Sequence, residues 1–166
     1  MMKSKFRILS VIGMVALLLT ALAGCSASNT AANEEQAANR QYMAQVNQSM
    51  DDLKNRLQTF NEAVSRGDSV TMKTQADNAF KAIGQLESLT PPDALKDIHG
   101  QYVDGCKALE SALNSYIDIF TEVNSATEAA PFDYSTYDSR IEQIHQKYDD
   151  AIKKLESADK AATDLG

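Results

Sequence analysis

Apolar residues recur in this chain at alternating steps of three and four. The run Met43, Val46, Met50, Leu53, Leu57, Phe60, Val64 keeps that step over six intervals. Such spacing lays one stripe along one face of an α-helix and fits no strand, whose side chains alternate with period two. Arg66-Gly67 then supplies a basic last turn and a glycine stop. Asn33-Glu34-Glu35-Gln36 reads as a capping box that opens this helix, with acids at the positive end of its dipole.

Three further stripes follow. Asp68-Ser69 restarts the chain, and Met72, Ala76, Ala79, Ile83 and Leu86, widened by Phe80, form the second. Thr90-Pro91-Pro92-Asp93 predicts a third helix start, with Thr90 as N-cap, Pro91 at the first helical position and an acid in the first turn. That helix carries Leu95, Ile98, Tyr102, Leu109, Ala112, Tyr116, Ile119 and Val123. His99, Cys106, Leu113 and Phe120 lie one heptad apart along its edge, so its apolar face suits two or more neighbours. It fades near Ala126, before Glu128-Ala-Ala-Pro131. The fourth helix opens near Asp133 and runs Tyr134, Tyr137, Ile141, Ile144, Tyr148, Ala151, Leu155, Ala158, Ala162, Leu165. Asp149–Lys153, Asp150–Lys154 and Glu156–Lys160 are set for helical ion pairs at i,i+4.

Four amphipathic helices on short connections cannot bury their stripes singly. The expected fold is all-α, an antiparallel up-down four-helix bundle over residues 34–166. Spacing near 3.5 predicts left-handed packing with crossing angles near 20°. The second helix is the shortest, so one end of the bundle can be only three helices thick. The alternative is a long three-helix domain that dimerises to complete its core.

The N-terminus has a different character. Lys3, Lys5 and Arg7 form a basic flank, and Ile8 to Gly24 is free of charge. The parts match a secretory signal. As a helix its 17 residues reach only about 26 Å, short of a hydrocarbon core of roughly 30 Å. An uncleaved membrane-spanning helix is therefore the second choice. Leu22-Ala23-Gly24-Cys25 fits the Leu-small-small-Cys lipobox, and on those residues the chain resembles a bacterial lipoprotein precursor. The resemblance implies cleavage between Gly24 and Cys25 and a diacylglyceryl group on the Cys25 sulfur. Two acyl chains suffice for stable anchoring where one is marginal. The implied location is extracytoplasmic, on the outer face of the cell membrane; Ser26 would permit onward export in a two-membrane cell. Ser26 to Asn33 is small and polar and is expected to be a flexible tether, residues 25–33 in all.

Loss of residues 1–24 leaves 142 residues, enough for one domain with a real core. It also takes Lys+Arg from 16 to 13 against 23 acids, a net charge of −10. That opposes binding to nucleic acid and electrostatic docking on anionic lipid, leaving the acyl chains as the hold on the membrane. With Cys25 lipidated, Cys106 has no partner for an internal disulfide.

Material for chemistry is sparse. Glu142-x-x-His145 is half of a di-iron carboxylate signature, but a second such motif is missing and the pair flanks the Ile141/Ile144/Tyr148 seam. His99 and Cys106 stand two turns apart, about 10.5 Å, too far to share one metal without a third element. Cys106 reads as a buried small hydrophobe. Nucleophile-elbow, P-loop, dinucleotide, calcium-loop and haem-attachment patterns are not found, so no enzyme activity, metal or cofactor is expected. Tyr102, Tyr116, Tyr134, Tyr137 and Tyr148 read as core aromatics; Tyr102, Tyr116, Tyr134 and Tyr137 with His99 are also the candidates for a ligand pocket.

A second resemblance lies in Leu86-x-x-Leu89-x-Pro91-Pro92-x-x-Leu95-x-x-x-His99-x-x-Tyr102. It is similar to a hairpin of small, uncharacterised helical lipoproteins of Gram-positive bacteria, and implies a bundle without implying an activity. The expected role is an interaction or envelope-accessory module, anchored by lipid, with an envelope protein as partner and homodimerisation open. The competing expectation is a bundle that binds a small ligand, metal or haem in a cavity lined by Tyr102, Tyr116, Tyr137 and His99.

Overall fold

The computed structural model describes residues 30–165, with side chains from Asn33 onward. The expected signal segment, with the expected cleavage and lipidation residues Gly24 and Cys25, lies outside the described residues. Four α-helices make up the fold: α1 Thr30–Arg66, α2 Ser69–Glu87, α3 Lys96–Ser125 and α4 Tyr137–Asp164. One 3₁₀ turn, Asp93–Leu95, leads into α3 and another, Tyr134–Thr136, into α4. Among the described residues there is no strand.

Helix α1 begins at Thr30, so Asn33-Glu34-Glu35-Gln36 lies inside it and does not cap it. Ala31, Ala32, Ala37 and Ala38 are strong helix formers and extend the helix into the expected tether. Residues 33–41 include no buried side chain; Tyr42, at 3% exposure, is the first. From there the seam is buried as its spacing predicts, through Val46, Met50, Leu53, Leu57, Phe60 and Val64, with Met43 half-buried at its edge.

The turn into α2 is closed at both ends. Gly67 takes φ +68°, its N–H donates to Val64 O at 3.0 Å, and Asp68 N–H donates to Ala63 O at 2.9 Å. That double closure satisfies the last carbonyls of α1 and requires a residue at ease in the left-handed region. The Asp68 carboxylate then accepts from Thr71 N–H at 3.0 Å, capping α2. One aspartate thus ends one helix and starts the next.

The entry to α3 differs from expectation. Thr90 does not cap it. A residue before proline is pushed out of the helical region, so Pro91 cannot be the first helical residue ahead of Pro92. Pro92 is extended, at φ −56° and ψ 156°, and helical geometry starts only at Asp93. Asp133 does act at the α4 entry, where its carboxylate accepts from Ser135 N–H at 2.9 Å.

Helix α3 buries Ile98, Tyr102, Gly105, Cys106, Leu109, Ala112, Leu113, Tyr116, Ile119 and Phe120, the broad face its edge row predicts. Helix α4 buries Ile141 through Ala162 at the expected positions, but Tyr134 and Leu165, at its two ends, are exposed. Of the expected i,i+4 pairs on α4, none forms; Lys153 turns to Asp150 at 3.6 Å, i,i+3.

Helix α1 packs along α2, α3 along α4, and α2 against α3. On α3 and α4 the partners run in opposite order: Tyr102 with Asp159, Ser115 with Lys147, Glu122 with Arg140. Between α1 and α3 the order is the same: Tyr42 meets His99 and Phe60 meets Tyr116. At Gly105 α4 packs closely on α3, since a Cβ there would sit 2.7 Å from Leu155 Cδ2.

Candidate functional site

The candidate residues divide between the two ends of α3. His99, Tyr102 and Cys106 follow one another at steps of three and four near its start. Tyr116 lies seventeen residues beyond His99, about 26 Å along the axis at 1.5 Å per residue. Tyr134 and Tyr137 join Tyr116 at the far end. The pocket residues foreseen from sequence therefore form two groups.

At the first end, each helix contributes a polar group. Tyr42 of α1 meets His99 of α3, hydroxyl to Nδ1, at 2.7 Å. Their rings stand edge to face, with centroids 6.0 Å apart at 70°. In the neutral imidazole protonated on Nε2, Tyr42 donates and Nδ1 accepts. Tyr102, 1% exposed, donates to an Asp159 carboxylate oxygen of α4 at 2.5 Å. Cys106 is fully buried one turn further on. Glu87, at the end of α2, is close enough for its charge to act on both His99 and Cys106.

Burial dominates the titration of this group. It pushes the Tyr42 hydroxyl up to about 12 and the Tyr102 hydroxyl higher still, the latter reinforced by its bond to Asp159. It pushes the Cys106 thiol up to about 12, and the Glu87 charge adds to the shift, so the thiolate nucleophile is suppressed. It lowers the His99 imidazole below its ordinary value, with Glu87 opposing. Asp159 is raised, first by burial and then by the Glu156 charge, while the Tyr102 donor pulls it part of the way back. The result is two hydrogen-bonded pairs, Tyr42–His99 and Tyr102–Asp159, in surroundings that disfavour added charge.

At the far end, Tyr116 is buried between Phe60, 5.9 Å away at 73°, and Phe120, 6.4 Å away at 29°. Tyr134 is 62% exposed and Tyr137 half-buried. Both pack on Phe132, with centroids 5.0 Å and 6.1 Å from it.

A groove lies elsewhere. It is open, about 540 Å³, and runs between α2, α3 and α4, where Lys73, Ile117, Asp118, Arg140, Ile144 and Lys147 line it. Arg140 is clamped by both Glu122 oxygens, at 2.5 Å and 2.7 Å, and Lys147 donates to Ser115 Oγ at 3.1 Å. The Arg140 bond holds the Glu122 carboxyl below the usual range. None of the five sequence candidates borders this groove.

The Glu142-x-x-His145 pair does not act as a unit. Glu142 is exposed and accepts from Gln146 at 3.1 Å, whereas His145 is half-buried with Nε2 unpartnered. Among the described residues, no three His, Cys, Asp or Glu side chains converge enough to hold a metal. No described helix is long and apolar enough to cross a membrane.

Three participants escape the sequence patterns. Tyr42 sits one place ahead of Met43, where the spacing starts the α1 seam, and is the more deeply buried of the two. Asp159 lies one place off the α4 seam, beside Ala158. Phe132 precedes its helix altogether. No family model, curated protein or solved structure matches this chain.

Proposed function

We propose that this chain is a bacterial lipoprotein, held by lipidated Cys25 on the outer face of the cell membrane, where it serves as a non-enzymatic interaction module for an envelope protein. Leu22-Ala23-Gly24-Cys25 behind a basic flank and an uncharged run carries the proposal. The mature charge of −10 disfavours nucleic acid and anionic headgroups, so acyl chains, not electrostatics, supply membrane affinity.

The four helices form an antiparallel up-down bundle in this proposal. The opposite running order of α3 and α4 partners supports it, as does the matching order of α1 and α3. The His99 end then faces the membrane, because α1 leads into it from the anchor. The helical segment 33–41, about 13 Å long and without a buried side chain, is the spacer.

A second role, binding of a small ligand, is favoured by one observation. The groove brings Lys73 and Lys147 to one opening with Ile117 and Ile144, beside an Arg140 already paired with Glu122 and near Asp118, a mixed lining that suits a small polar ligand with an apolar part.

The test of the anchor is Cys25→Ala in the native cell. The expected result is loss of fatty-acid labelling and release from the membrane fraction; full membrane retention of the variant refutes the proposal.

A further inference from the structure

The connection between α3 and α4 presents aromatic rings to solvent in an ordered frame. Tyr134 is among the most exposed large apolar side chains described, with Val70 and Leu165. Phe132, Tyr134 and Tyr137 nevertheless pack mutually: Phe132–Tyr134 centroids lie 5.0 Å apart at 78°, Phe132–Tyr137 6.1 Å at 81°, Tyr134–Tyr137 6.4 Å at 47°. The segment leading to them is pinned, since Thr127 and Ala130 exchange backbone hydrogen bonds at 3.1 Å and 3.2 Å. Beyond it, Thr136 Oγ1 donates to Asp133 O at 3.0 Å. A ring held this way loses little freedom when something settles on it.

Apart from its tyrosines, the ionisable residues of segment 126–139 are all acidic. Glu128, Asp133 and Asp138 are all exposed. Hydrogen bonds from Ser135 hold Asp133 below the usual carboxylate range, so it stays ionised. Asp138 is near enough to Tyr137 for its charge to raise that hydroxyl, after burial. Arg140, the next cation along the chain, is already clamped by Glu122. An exposed Tyr134 ring in a segment with exposed carboxylates complements a cation on an apolar stem, the chemistry of Arg and Lys side chains. An anionic lipid surface is the opposite match.

We propose that the Phe132–Tyr134–Tyr137 corner docks a basic segment of another envelope protein, an Arg or Lys side chain lying across the Tyr134 ring with Asp133 and Asp138 answering its charge. The surface faces away from the membrane only if Cys25 is the anchor, as proposed above. The contact recognises a guanidinium or ammonium group and involves no covalent step.

The experiment titrates the full chain, in neutral detergent at about 0.15 M salt, into fluorescein-labelled octaarginine. The expected result is saturable binding that Tyr134→Ala weakens about fivefold, the size of one exposed cation–π contact, and that Tyr134→Phe restores. Asp133→Asn, which still accepts from Ser135 N–H, with Asp138→Asn should weaken it about threefold. Asp149→Asn with Asp150→Asn, which removes equal charge from the exposed side of α4, should leave it unchanged. Equal weakening by the two charge pairs, indifference to Tyr134→Ala, or absence of binding each overturns the docking proposal. Acyl labelling of Cys25 in the same preparations separates the two proposals. Labelled protein with Tyr134-independent binding overturns docking alone; unlabelled protein with Tyr134-dependent binding overturns the anchor alone.

Discussion

The Tyr102 hydroxyl donates to the Asp159 carboxylate at 2.5 Å, tying the early part of α3 to the last turns of α4 across 57 residues of sequence. Tyr102 is one of the most deeply buried side chains, and Asp159 is a half-buried acid with a raised proton affinity. Tyr102→Phe keeps the ring and deletes the donor. It should destabilise the fold by about 1–2 kcal/mol in urea unfolding at pH 7, because a partly desolvated carboxylate loses its partner.

Asp159→Asn should act differently with pH. A carboxyl whose folded value is raised contributes stability that is fully present below its ordinary value, 3.8, and lost as pH rises through the folded value. An amide cannot ionise and still accepts from Tyr102. The variant should be more stable than the parent at pH 7, with the difference shrinking toward pH 4. Urea midpoints at the two pH values check this; a variant less stable at pH 7 contradicts it.

His99 titrates in the reverse sense. Its folded value lies below the ordinary 6.5, so its contribution is present above pH 6.5 and lost as pH falls through the lowered value. Tyr42→Phe removes the donor to Nδ1, should cost about 0.5–1.5 kcal/mol, and should move the imidazole titration upward. The Cε1 proton resonance of His99 reports that movement directly. A downward movement would show that Tyr42 does not favour the neutral ring.

The close approach of α3 and α4 gives a paired test. Gly105→Ala forces Leu155 or the backbone to shift and should destabilise by about 1–3 kcal/mol. Gly84→Ala and Gly100→Ala meet nothing within 4 Å and should stabilise by about 0.5–1 kcal/mol through helix propensity. Thermal unfolding of the three variants separates these signs.

Cys106, fully buried with its thiol pushed up to about 12, should resist a maleimide at pH 7.5 in the folded protein and react fully in denaturant. Rapid native labelling would mean that this end of the structure opens.

The interior was legible because a seam stepping by three and four admits few solutions. Val46, Leu53, Leu109, Ile141 and Leu155 are all buried where their spacing puts them. Helix starts were less so. Thr90 has the right chemistry for a cap, but the Pro91-Pro92 geometry moves the start to Asp93. Alanines carry α1 back to Thr30 past an apparent capping box. The polar contacts were hidden for another reason. Tyr42–His99 and Tyr102–Asp159 each join residues 57 apart, and their pairing depends on helix register, which no periodicity within one helix encodes. The aromatic corner was half visible: Tyr134 and Tyr137 read as seam residues, yet Tyr134 stands outside the core because a 3₁₀ turn precedes α4.

The anchor remains the claim on which location and role depend. Intact-mass and N-terminal fragment spectrometry of protein extracted from its own membranes tests it most directly. The account predicts a chain beginning at Cys25, with a diacylglyceryl group on the sulfur. A chain that retains Met1, with Cys25 as a free thiol, would contradict it.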